Sequence, residues 1–241
     1  MHTNVDEIAP DIFRLSTNVP DVVPGGFTFN QYLVRDEQPF LFHTGMRQLY
    51  PLVAEAIGKV LPLGSLRWIS FGHVEADECG SMNQLLAVAP QAEVVHGSLA
   101  CMLSLNDLAD RPPRAMGDGE VLELGAHRLR FLPTPHVPHN WESGLWFDET
   151  TSTLLAGDLF THAGDGPALT ETDLVGPALA AEELFHGTSL GPAVPATIER
   201  LAALEPTTLA VMHGSAFRGD GASQLRSLAA GYRAALTGLG A

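Results

Sequence analysis

Ile69-Ser70-Phe71-Gly72-His73-Val74-Glu75-Ala76-Asp77-Glu78-Cys79-Gly80 carries an apolar strand into a burst of imidazole and carboxylate, then into a glycine-started helix. Alternate residues of an extended loop point the same way, so His73, Glu75 and Asp77 can converge. One nitrogen and two oxygen donors in so short a stretch is the mix that a hard to borderline divalent metal takes. A solvated acidic loop at a strand end would look the same in isolation, so the rest of the chain decides.

Three more positions follow strand-like runs. They are His139 in Pro138-His139-Asn140-Trp141-Glu142-Ser143, Asp158 in Leu154-Leu155-Ala156-Gly157-Asp158-Leu159-Phe160, and His213 in Ala210-Val211-Met212-His213-Gly214. Each stands at an expected strand end, where side chains reach a shared mouth. An Asp directly after an apolar strand, with no basic neighbour, is costly to bury, and a metal would neutralise it. Within Thr134-Pro135-His136-Val137-Pro138-His139 either histidine can be the ligand. His2, His96, His127, His162 and His186 have no partner at ligand spacing, although His162 follows Asp158 by four. Cys79 stands two residues after Asp77, where a ligand or redox role competes with the commoner one of a small buried hydrophobe.

Around these positions the pattern alternates. Runs at Ile12–Leu15, Phe27–Val34, Phe40–His43, Trp68–Phe71 and Glu93–His96 read as strands, and Met46–Val60, Gly80–Val88 and Leu99–Leu108 as helices. Val121–Leu124 with Arg128–Leu132, and Gly144–Phe147 with Leu154–Gly157, read as hairpins. Thr161–Ala178 reads as an exposed loop, Leu179–Leu204 as helix broken at Gly191-Pro192, Thr208–Met212 as a strand and Ala222–Leu236 as a closing helix. Strands this apolar want cover on both faces. The expectation is one α/β domain over residues 1–241, an αββα sandwich of two mixed sheets with helices on the outer faces.

The chain has 241 residues, 45% of them apolar, and 28 acidic against 13 basic side chains, a formal net charge of −15. Such a field repels phosphate backbones and anionic lipid, so no nucleic-acid or membrane partner is expected. No run is long and apolar enough for a membrane span, and the N-terminus lacks a basic start followed by an apolar stretch. Two cysteines are too few for a disulfide scaffold, which agrees with a reduced, cytoplasmic location. The oligomeric state is left open.

His73-x-Glu75-x-Asp77, then His139, Asp158 and His213-Gly214, resembles the metallo-β-lactamase fold, and specifically its flavodiiron and oxygen-binding di-iron branch. The hydrolases of that fold are similar but show a second His where this chain has Glu75. The likeness spans nearly the whole chain and includes Asn30-Gln31-Tyr32-Leu33, similar to the Asn-x-Tyr-Leu strand of the di-iron branch. It implies that His73, Glu75 and His139 hold one metal, Asp77 and His213 hold the other, and Asp158 bridges them. It favours His139 over His136, because Glu142 and Ser143 match the acidic and small residues that follow the family's ligand; His136 then stands beside the ligands as a supporting or gating residue. Two positions depart from the family. Glu78 stands where a final His is usual, which removes a nitrogen donor unless Glu78 itself reaches the metal. His43 stands where an Asp usually closes the strand.

Three carboxylates and three imidazoles favour iron or manganese over zinc. The expectation is therefore two iron ions, with manganese or zinc as alternatives, that bind or reduce dioxygen or nitric oxide. The resemblance also implies a separate electron-donor protein, and no flavin, since the chain stops at Ala241 without a phosphate-cradling loop. A second class is a dinuclear hydrolase of an ester, thioester, lactone or phosphodiester, its pocket shaped by the acidic loop Gly164–Asp173. A third is a binding protein that keeps the fold without the metals.

Overall fold

β-Branched and aromatic runs short enough to cross one layer, punctuated by Gly, Pro and Asp, build strands rather than long helices. The computed structural model describes residues 1–238, and in it these runs form two seven-stranded sheets. In the first, β1 (Thr3–Ala9), β2 (Ile12–Val19), β3 (Phe27–Val34), β4 (Phe40–Phe42), β5 (Trp68–Ser70), β6 (Glu93–Gly97) and β7 (Arg114–Met116) lie side by side in chain order. The first four pair antiparallel and the last four run parallel. Parallel neighbours need crossovers. These are α1 (Tyr50–Gly58), α2 (Ala76–Cys79) with α3 (Met82–Val88), and a stretch in which α4 (Ser98–Ala100) and α5 (Asn106–Leu108) flank a π-helical Cys101–Leu105.

The second sheet holds β8 (Val121–Glu123), β9 (Arg128–Pro133), β10 (Gly144–Asp148), β11 (Thr153–Gly157), β12 (Leu169–Thr170), β13 (Thr208–Val211) and β14 (Ala216–Arg218), in the order β12-β14-β13-β11-β10-β9-β8. A meander from β8 to β11 is extended by β13, which enters parallel to β11 after the helices α6 (Val175–Phe185) and α7 (Val194–Ala202). The closing α8 (Gly221–Gly238) packs on α7 and α6.

Residue alternation along β3 shows why the sheets stack. Tyr32 and Val34 belong to the core between the sheets, whereas Phe29 and Leu33 pack with the α1 and α3 layer. Polar links cross the interface at fixed points: Tyr32 Oη donates to the Val211 carbonyl at 2.7 Å, and Trp146 Nε1 to Ser70 Oγ at 2.9 Å. The expected αββα sandwich is the observed one.

Four strands lie outside the sequence reading: β1, β7, β12 and β14. β1 carries its polar residues in adjacent pairs, Thr3-Asn4 and Asp6-Glu7, with no period-two pattern to read, and β7 is short and exposed at a sheet edge. The stretch Thr161–Ala178, read as loop, contains β12 and the start of α6. Gly176 and Pro177 read as breakers, yet they sit in the first turn of α6, where a missing N–H costs little. Among the described residues no helix is long and apolar enough to cross a membrane.

Candidate metal centre

All six residues singled out by the sequence come to one mouth at the ends of the strands. His73, Glu75 and Asp77 follow β5, His139 lies between β9 and β10, Asp158 directly follows β11, and His213 lies just past β13. Both sheets therefore contribute.

Two donor sets form. His73 Nε2 lies 2.7 Å from Glu75 Oε2 and 2.7 Å from His139 Nε2, and His139 Nε2 lies 3.2 Å from Glu75 Oε2. Asp158 Oδ2 completes this set at 3.8 Å from His73 Nε2 and 3.6 Å from His139 Nε2. The four donors lie within 4.8 Å of one another. Ligands at about 2.1 Å from a common ion stand about 3.4 Å apart in a tetrahedron, so the set closes around a cation with small movements. In the second set, His213 Nε2 lies 3.4 Å from Asp77 Oδ2 and 3.3 Å from Asp158 Oδ1. The two oxygens of Asp158 thus face different sets.

The residues fit metal ions. Imidazole nitrogens facing each other beside a carboxylate, and a buried Asp158 Oδ1 with no hydrogen-bond partner, leave lone pairs that a cation would satisfy. Tautomers agree with this. His213 Nδ1 donates to the Thr28 carbonyl at 2.8 Å, which leaves Nε2 free for the site. Burial works against charge on His73, yet Glu78, Glu75 and Asp158 outweigh it and hold the imidazole up at about 10. Burial opposes His213 in the same way, and Asp158 and Asp77 raise it to about 10. Contacts with His139 and His73 draw Glu75 down to about 2. Asp158 is held well below the usual carboxylate range, because His213, His73 and His139 outweigh its burial. Without an ion, protons on His73 and His213 offset part of the carboxylate charge.

Glu78 and His43, the two departures, meet behind His73. Glu78 is fully buried; its Oε2 accepts the His73 N–H at 2.6 Å, and its Oε1 lies 3.3 Å from His73 Nδ1 and 3.5 Å from His43 Nε2. It supports a ligand of the first set and does not point at the second. Burial pushes Glu78 up to about 8 and His43 down to about 3. Glu142 also supports this loop, accepting the Val74 N–H at 3.1 Å.

His136 does not join the cluster. It lies exposed at φ +62°, on the far side of the loop with Asn140 and Trp141. His162 spends both nitrogens on backbone: Nδ1 donates to the Phe160 carbonyl at 2.8 Å and Nε2 accepts the Ser215 N–H at 3.0 Å. Cys79 packs with the α1 and α3 layer, and burial pushes its thiol up to about 12.

A cavity of about 240 Å³ opens over Glu75, Asp77, His139, Asp158 and His213. None of residues 164–173 lines it, which corrects the expectation that the acidic loop shapes the pocket. Its far wall is one face of α6, with Phe27, Thr188 and Tyr232. Sequence reasoning missed this wall. The signal was available in Ala178, Ala181, Glu182 and Phe185, which recur at helical spacing.

Residues 27–214 match a protein family described as ODP family beta lactamase. Diflavin flavoprotein A 1 of Thermosynechococcus vestitus is 29% identical over 202 residues, 80% of this chain and 34% of that protein. The rubredoxin-oxygen oxidoreductase of Megalodesulfovibrio gigas is 27% identical over 210 residues, 81% of this chain and 50% of that protein. The chain thus spans between a third and a half of the length of these curated relatives. Among solved structures, a metal-soaked flavodiiron core from Synechocystis sp. covers 98% of this chain and 61% of its own at TM-score 0.80 and 23% identity. A diflavin flavoprotein fragment from Nostoc sp. covers 100% of this chain and 99% of its own at TM-score 0.84 and 18% identity. At these identities the structural likeness carries the fold.

Proposed function

The chain belongs to the ODP family of β-lactamase-fold proteins, homologous to flavodiiron proteins, and from that premise we propose that it holds two iron ions and binds or reduces dioxygen or nitric oxide. His73, Glu75 and His139 would hold one ion, Asp77 and His213 the other, and Asp158 would bridge. The observation that carries this reading is the split of Asp158, whose two oxygens face separate donor sets. Bound ferrous ions would supply one electron each to a diatomic ligand. A donor set half carboxylate and half imidazole, without thiolate, suits hard to borderline ions such as iron or manganese better than zinc.

The rest falls to the chain. The Thr28 carbonyl holds His213 in the tautomer that presents Nε2, and the Glu78 carboxyl stands 3.3 Å from His73 Nδ1 on the side away from the site. Phe27 stacks on the His213 ring with centroids 4.4 Å apart and keeps water off one side of the second set. Sustained reduction would draw electrons from a separate donor protein, as the name rubredoxin-oxygen oxidoreductase implies for that relative.

A dinuclear hydrolase is the second reading, favoured by the size of the cavity over the donors. One sample tests both. Protein purified anaerobically from iron-supplemented cells should carry close to two metals per chain, mostly iron, and should give a coloured species after an oxygen pulse. Asp158→Ala should lose both metals, His139→Ala one, and His136→Ala neither. Full zinc occupancy, together with metal-dependent cleavage of an ester or phosphodiester and no coloured transient, would replace the oxygen reading by the hydrolytic one.

A further inference from the structure

The cavity over the metal ligands is larger than a diatomic needs. A water's share of liquid volume is about 30 Å³, and a diatomic takes about one such share. The observed space of about 240 Å³ is several times that, and exceeds the roughly 150 Å³ of an apolar cavity that takes up benzene. Its walls have a definite chemistry.

The far wall is the inner face of α6, where Ala178, Ala181, Glu182 and Phe185 recur at three- and four-residue spacing. Two alanines on that face hold the space open, where a leucine would fill it. Phe27 and Phe185, edge-on with centroids 5.6 Å apart, supply aromatic surface. One polar group interrupts the apolar wall. Glu182 accepts the Thr188 N–H at 3.0 Å and the Thr188 hydroxyl at 2.6 Å, and that hydroxyl lies 3.1 Å from Tyr232 Oη. The single Thr188 hydroxyl proton goes to the closer, charged acceptor, so the tyrosine donates to Thr188. Lone pairs on Glu182 and Tyr232 remain unused, and this wall offers acceptors and no free donor. The opposite wall is the metal set, which prefers an anionic oxygen.

We propose that this cavity binds a small organic acid whose ring-sized apolar body carries a hydrogen-bond donor at its far end. The acid group lies toward the metal ligands, the body lies against Ala178, Ala181 and the two phenylalanines, and the donor meets Glu182 and Tyr232. The proposal rests on the dinuclear metal reading, and it adds an organic ligand to that site.

The test is a binding titration by calorimetry on metal-loaded protein whose metal content is measured first, with 4-hydroxybenzoate, benzoate and acetate as probes. 4-Hydroxybenzoate should bind about tenfold more tightly than benzoate, which lacks the donor, and acetate should be weaker again. Ala181→Leu should weaken 4-hydroxybenzoate by about tenfold or more at unchanged metal content. Glu182→Gln and Tyr232→Phe should each narrow the gap between 4-hydroxybenzoate and benzoate, a comparison that stands even if the leucine variant fails to fold. Equal affinity for acetate and 4-hydroxybenzoate, or a gap unchanged in both polar variants, overturns the proposal while leaving the metals in place. Protein that takes up no metal overturns the metal reading and the proposal with it, and the metal analysis tells the two failures apart.

Discussion

At the scale of single residues, the site trades a donor for a support. Glu78 occupies a position where the resemblance expects a second-metal ligand, yet its carboxylate lies against the His73 N–H and Nδ1. Glu78→Gln keeps the shape but puts an amide nitrogen in place of one carboxyl oxygen facing the His73 N–H and Nδ1, so first-set metal affinity should fall by about 10–100-fold, as for other partners of ligating histidines. Competition with a chelator measures it, and second-set affinity should stay unchanged. The histidines also set a pH dependence. His73 and His213 are raised from 6.5 to about 10 in the fold. The stability they give the metal-free protein is therefore complete below pH 6.5 and is lost as pH rises through about 10. Metal uptake runs the other way, because it displaces those protons. Loading at neutral pH should release about two protons per chain, readable with a weakly buffered indicator, and affinity should rise with pH. The six clustered residues were legible because each is a metal-type donor at an apolar strand end. The direction of Glu78 was not, since Asp77 and Glu78 already lie inside α2, where a one-residue step rotates the side chain behind the loop.

At the scale of elements, strand ends and the turns after them do the positioning. His213 is followed by Gly214 at φ +102°, and a Cβ there would come within 2.2 Å of the His162 ring. The ring cannot retreat, because both its nitrogens hold backbone groups. Gly214→Ala should therefore destabilise the protein by about 2–4 kcal/mol, from backbone strain and overpacking together. Denaturant unfolding followed by far-ultraviolet circular dichroism would read this, and an unchanged midpoint would count against it. The same elements show what a sequence discloses. β3 was readable to its ends because β-branched and aromatic residues dominate it, and all eight of its residues are buried. α6 was readable only in its second half, because its first turn carries Gly176 and Pro177 and follows a polar stretch. The missed half mattered for the site, since Ala178 there lines the cavity.

At the scale of the whole molecule, the donor sets join the two sheets, with Asp77 from the first and Asp158 and His213 from the second. An ion bound here acts as a cross-link in the folded state and has no preformed site in the unfolded chain. Chelation should therefore lower the melting temperature of the entire domain in one transition, with a loss of about 4 kcal/mol if free metal had stood near 1,000 times Kd. Two separate transitions would contradict a link between the sheets. The distribution of ligands along the chain also imposes an order in time. His73, Glu75, His139 and Asp158 have all been joined to the chain once Asp158 is made, whereas His213 comes 55 residues later (213 − 158). At about 5–20 residues per second that interval lasts roughly 3–11 seconds. During it β11 lacks β13, its neighbour in the finished sheet, and the nascent chain holds every donor of one set while the other still lacks His213.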